Sequence, residues 1–226
     1  MTLGRSAAAE VIGTALLLAI VVGSGIMGER LAQGNAAVTL LANSIATGAG
    51  LYVLIVIFEP VSGAHFNPVV SAVRAWEGQL KPRDCGVYVL AQVCGAFAGV
   101  TAAHAMFGLP IVQISKHVRP TLGEGLGEVI ATFGLLLVIA LASRFRVEAI
   151  PLAVSGFITS AYWFTSSTSF ANPAVTFARA MTDTFAGISP SSVPLFVGGQ
   201  LLGGASATLF VRWLIAAPSE TLSNPK

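Results

Sequence analysis

The sequence predicts an all-α membrane protein with six transmembrane helices and two shorter helical segments that enter the bilayer without crossing it. Three observations carry this. Of 226 residues, 54% are hydrophobic and only 10% charged, with a mean hydropathy of +0.80. Six apolar stretches are long enough to span a bilayer, and two are too short. The order of these segments repeats between the two halves of the chain.

An ordinary soluble domain carries about 25% charged residues, because charge keeps its surface in water. With twelve basic and ten acidic residues, this chain cannot cover a water-facing surface of that kind, and lipid is the solvent that fits. The net charge of +2 gives no sign of nucleic acid or of a strongly acidic partner. Cys85 and Cys94 lie in one apolar segment, a helical rise of roughly 13 Å apart, so they read as small apolar-face residues rather than a disulfide. The first apolar run is too long for a signal peptide, and no soluble region follows it.

A hydrocarbon core of about 30 Å needs about 20 apolar helical residues. The stretches that qualify are Ala7–Met27, Ala36–Phe58, Gly86–Phe107, Gly123–Ser143, Ile150–Ser166 and Val193–Ala216. Phe66–Trp76 and Phe170–Met181 are too short, and each holds an Asn-Pro pair. Unpaired backbone cannot face lipid, so such broken segments must be covered by protein or line a wet cavity.

The halves match at several places. Ala9-Glu10-Val11-Ile12 recurs as Gly127-Glu128-Val129-Ile130, and Ala91-Gln92 with Gly95 recurs as Gly199-Gln200 with Gly203. Asn67-Pro68-Val69-Val70 with Arg74 recurs as Asn172-Pro173-Ala174-Val175 with Arg179, both at an interval of 105 residues. Each half holds three spans, an odd number, so the second copy enters from the opposite side. The chain is therefore read as one membrane domain over 1–226, built from inverted repeats at about 1–110 and 120–220.

Proline suits the first helical position and asparagine is a strong N-cap. Asn67 and Asn172 should each cap a short helix that starts near the midplane and runs outward. Two helix N-termini then face one another, each with about half a positive charge in effect, which opposes cations and spares neutral solutes. The approaches, Ser62-Gly63-Ala64-His65-Phe66 and Ser167-Thr168-Ser169-Phe170-Ala171, can present a ladder of carbonyls along a pore.

With Gly63-Ala64-His65-Phe66-Asn67-Pro68-Val69, Phe170-Ala171-Asn172-Pro173-Ala174, Glu10, Glu128, Gln92 and Gln200, the chain resembles the aquaporin family, the major intrinsic proteins, over nearly its whole length. The resemblance implies a passive channel for water and small uncharged solutes, with no enzyme activity and no cofactor or bound metal. It also implies an aquaporin-like bundle, a homotetramer with a pore in each subunit, and Asn67 and Asn172 amides that donate to the permeant.

Two departures from the family stand out. Val69 replaces the usual alanine of the first motif, a change expected to affect packing more than mechanism. Val175 stands where most relatives carry the arginine of the outer constriction. Counting from the motifs as in relatives gives a filter of Thr47, Ser160, Ser169 and Val175, with Gly63, Ala64, His65, Phe66, Ser167 and Thr168 as pore-lining carbonyls. Such a filter is small, uncharged and without an aromatic, so it should pass glycerol, urea or neutral metalloid hydroxides. The valine resembles bacterial aquaglyceroporins associated with arsenic resistance, which makes arsenite a candidate.

Glu10 and Glu128 are ionisable groups in or near spans, where function is the first thought. Their matched places favour a structural role, accepting hydrogen bonds from backbone N–H groups of the re-entrant loops; the alternative is a secondary transporter coupling through them. Arg179 has two readings: it replaces the missing filter arginine, or, lying two turns beyond Asn172 as Arg74 lies beyond Asn67, it caps carbonyls or snorkels to headgroups, and the second is the expectation. The imidazole of His65 should pack behind its carbonyl. With a cytoplasmic N-terminus, Arg5, Arg74, Lys81, Arg83, Arg144, Arg146, Arg212 and Lys226 lie inside, against Arg30, Lys116, Arg119 and Arg179 outside. The expectation is a multi-pass protein of a bacterial inner (plasma) membrane with both termini cytoplasmic.

Overall fold

A computed structural model describes residues 1–119 and 121–216; Lys226 and the end of the second repeat lie outside them. Among the described residues there are eight α-helices and no strand: α1 (Leu3–Leu31), α2 (Ala36–Ser62), α3 (Pro68–Trp76), α4 (Pro82–Met106), α5 (Leu122–Phe145), α6 (Ile150–Phe164), α7 (Pro173–Arg179) and α8 (Val193–Leu214). Six of these, two of them with a short 3₁₀ turn in front, are long and apolar enough to cross a membrane. The two remaining helices, α3 and α7, are the half-helices.

Local chemistry explains the ends. The Asn35 side chain accepts from the Ala37 and Val38 amides at the start of α2, and Gly63 in the left-handed region at φ 84° ends it. A reciprocal capping box between Thr121 and Glu124 opens α5. Proline occupies the first helical position of α3, α4 and α7, where no N–H is needed. The fifth span stops at Phe164, two residues short of the expected Ser166, because the chain turns extended at Thr165 (φ −103°, ψ 140°).

The helices pair in the same way in both halves. Helix α1 packs on α2 and α4, and α5 on α6 and α8. The α1–α4 and α5–α8 contacts are backbone-close: a Cβ at Gly95 would collide with the Val11 carbonyl, and one at Gly203 with that of Val129. Each half-helix then crosses over. Helix α3 packs on α4 and on α8, while α7 packs on α8 and on α4. The outer face carries Leu16, Ile45, Val53, Leu90, Ile130, Leu152, Leu202 and Leu209, all exposed, as a surface solvated by lipid requires.

Candidate functional site

The half-helices meet at their N-termini. Asn67 Oδ1 accepts from the Val69 amide at 3.0 Å, and Asn172 Oδ1 from the Ala174 and Val175 amides at 3.0 and 3.3 Å. Their side-chain nitrogens cross between the halves. Asn67 Nδ2 donates to Ala171 O and Asn172 Nδ2 to Phe66 O, each at 2.7 Å. An amide nitrogen carries two N–H groups, so this exchange leaves one on each asparagine for the lumen that both residues line.

The loops leading to these caps are bent alike. Gly63, Ala64 and Phe66 have φ of 84°, 49° and 49°; Thr168, Ser169 and Ala171, 105 residues on, have 59°, 49° and 48°. Left-handed backbone costs a non-glycine residue roughly 1–2 kcal/mol, so five such residues need compensation. Two carboxyl groups provide it. Glu10 accepts from the Phe66 and His65 amides at 2.7 and 3.0 Å, from Ser62 Oγ at 2.6 Å and from Gln92 Nε2 at 2.8 Å. Glu128 accepts from the Phe170 and Ala171 amides, both at 2.8 Å, and from Gln200 Nε2 at 2.5 Å. Both glutamates are fully buried and stand behind the loops, off the lumen. The imidazole of His65 packs against Tyr88 with ring centres 5.2 Å apart, and its Nδ1 lies 3.0 Å from Ser71 Oγ.

A cavity of about 500 Å³ runs past both asparagines. One wall is the polar stripe Gly63–Phe66 and Ser169–Ala171; the other is apolar, with Leu17, Val21, Leu51, Ile55, Leu135 and Val154. Pro68, Val69, Pro173 and Ala174 hold the motif from behind rather than lining it. The extra bulk of Val69 has a place to go, because the residue facing it on α8 is Gly204, where a Cβ would fall on the valine methyl.

Thr47, Ser169 and Val175 line the cavity as the filter assignment expects, and Ser160 does not. Ser160 is exposed on the outside of the bundle, its hydroxyl bonded to Phe157 O at 2.7 Å. Two residues on a helix turn the side chain by roughly 200°, so Ile158 and Tyr162 take the lumen and Ser160 the opposite face. The lumen-facing side chain near the end of α6 lies ten residues before Asn172 rather than the expected twelve. Ile55 and Ile158 line the same cavity, and stepping one turn on from Ile158 would have found Tyr162. Ser167 and Thr168 also stand off the lumen. Arg119 covers them, its Nη1 3.3 Å from Ser167 O and 3.5 Å from Thr168 Oγ1.

The expectation for Arg179 is overturned. It neither snorkels nor caps the end of α7: it is 3% exposed, lines the cavity, lays its guanidinium 3.4 Å from the Phe170 ring centre, and donates through Nε to Ala186 O. Its spacing from Val175 is four residues, which puts both on one face of α7. That spacing was the available signal. The lining is therefore neither free of aromatics nor uncharged.

Six crossing helices around a cavity, with two half-helices meeting beside it, define a polytopic membrane protein of the channel type. The major intrinsic protein family is matched over residues 1–144. The chain is 53% identical to the aquaglyceroporin AqpS of Rhizobium meliloti strain 1021 over 213 residues, covering 94% of this chain and 91% of the relative. It is 30% identical to the probable aquaporin AqpM of Archaeoglobus fulgidus, over 95% and 98% of the two chains. In fold it is similar to the X-ray structure of the aquaglyceroporin from Plasmodium falciparum, with a TM-score of 0.75, 19% identity, and 95% and 98% of the chains covered. The chain belongs to the major intrinsic protein family. It is a passive membrane channel for water and small solutes, not an enzyme.

Proposed function

We propose that this channel passes neutral solutes larger than water, with glycerol, urea and arsenite as candidates, while the paired asparagines hold the permeant at the midplane. The observation that carries the reading is the reciprocal bond between the motifs, which leaves one N–H of Asn67 and one of Asn172 for the lumen. A solute entering single file exchanges water for these donors and for the carbonyl stripe, while its carbon skeleton rests on the apolar wall. The two half-helix N-termini add positive potential where little water screens it, as aquaporin-type pores do generally.

Val175 in place of a long cation widens the passage at that level, which favours solutes of glycerol size. Glu10 and Glu128 hold the loops in this reading. The secondary-transporter alternative needs these carboxyls to exchange protons or ions with the lumen, and their burial behind the loops with converging donors speaks against it. The chain works as a homotetramer in a bacterial plasma membrane with cytoplasmic termini, the Arg179 mouth facing outward.

Proteoliposome swelling with water, glycerol, urea and arsenite tests the reading on wild type beside Val175→Arg. Wild type should pass all four and the variant should lose the larger solutes first. Swelling no faster than in empty vesicles for every solute above water size defeats the proposal.

A further inference from the structure

Two arginines crowd the ring of Phe170. Arg179 stacks on it at 3.4 Å and Arg119 approaches at 5.3 Å, and neither has an acidic partner within ion-pair distance among the described residues. Of the Arg179 guanidinium, Nε is bonded to Ala186 O, while the two terminal nitrogens have no hydrogen-bond partner among those residues. A buried guanidinium without a carboxylate is costly unless water or a ligand meets it. Arg179 lines the cavity, so the lumen is where its free donors are met.

Its height in the pore follows from helix geometry. Val175 and Arg179 share one face of α7, and the arginine lies about 6 Å further from the midplane. Tyr162 of α6 also lines the cavity, and its hydroxyl lies 3.3 Å from Thr47 Oγ1. A long cation beyond the level of Val175 and an aromatic thus line the same cavity.

We infer that Arg179 and Tyr162 form the outer constriction of this pore, and that Arg179 supplies the fixed positive charge missing at Val175. The inference rests on the channel reading above and deepens it. The barrier is displaced outward by one helical turn rather than lost. Between Asn172 and Arg179 lies a stretch of about 10 Å, long enough to hold one small polyol between two sets of N–H donors with Val175 and Leu51 on its flank. The solute class this suits is neutral and oxygen-rich, with acceptors at both ends.

The test uses full-length protein in liposomes, with sodium conductance and swelling in urea, glycerol and xylitol measured in parallel. Arg179→Gln and the longer neutral Arg179→Met should raise sodium conductance by about tenfold or more, since a unit charge a few ångströms from the path is a barrier of that order. Arg179→Lys should keep sodium out. Tyr162→Ala should admit xylitol while still excluding sodium. Arg30→Gln removes a charge from the same side of the protein, away from the cavity, and should change nothing. Sodium exclusion unchanged in both neutral Arg179 variants overturns the charge assignment. Xylitol exclusion unchanged in Tyr162→Ala overturns the constriction, and this variant decides the matter if the Arg179 variants do not fold. Wild-type vesicles that fail to pass urea and glycerol sink the channel reading instead.

Discussion

The two mouths of the cavity are built from the same repeat and finished differently. At one end Arg74, seven residues past Asn67, donates to Gln79 Oε1 at 2.5 Å and Ser143 Oγ at 2.9 Å, with Glu77 at 3.9 Å. At the other, Arg179, seven past Asn172, has a carbonyl and a phenylalanine ring. Both line the cavity, but the first cation is partly exposed and shared among polar neighbours, while the second is buried. Between the mouths the halves scarcely differ: the left-handed residues fall at matching positions within about a degree for Ala64 against Ser169 and Phe66 against Ala171. Where the halves agree the structure is holding a backbone in place, and where they diverge lies the proposed constriction.

That contrast can be broken most sharply at the glutamates. Glu10→Leu and Glu128→Leu each leave two loop amides without an acceptor, and each should cost about 3–5 kcal/mol, the usual penalty for breaking a buried polar network. Thermal unfolding in detergent should give similar losses for both. A loss confined to one half would mean that only that loop depends on its carboxyl. Next, Gly203→Leu should force α8 away from α5 and cost about 1–3 kcal/mol, as overpacking does, read as a fall in the monodisperse fraction on size exclusion. Gly95→Leu should do the same between α1 and α4. A smaller effect is expected for Gly204→Ala, which crowds Val69 by one methyl; pairing it with Val69→Ala should restore stability, measured by the same unfolding curve. Smallest of all, Ser160→Ala should leave both swelling rate and stability within about 0.5 kcal/mol of wild type, because its side chain faces away from the cavity.

Much of this architecture was legible because the bilayer restricts the choices. Continuous apolar runs have one reading in lipid, and two Asn-Pro pairs at equal spacing place two caps in register. The roles of Glu10 and Glu128 were readable from their matched positions, since a task shared by both halves points to the common framework. The lining of the second mouth was harder. Ser160 and Tyr162 differ by two residues, and the face they present depends on where α6 ends, which apolar composition does not fix. Arg179 looked like a headgroup anchor because charge near the end of an apolar segment usually is. Only the fold back through Ala186, and Phe170 beneath the guanidinium, turn it inward.

The exchange of half-helices ties the first half of the chain to residues made much later. The bond from Asn67 Nδ2 ends on Ala171, 104 residues later, and α3 rests partly on α8. At a synthesis rate of 5–20 residues per second, the first half waits roughly 5–20 s in the bilayer before its counterpart exists. A chain that ends after α4 lacks Leu135, Val154, Asn172 and Arg179, and with them nearly half of the cavity lining.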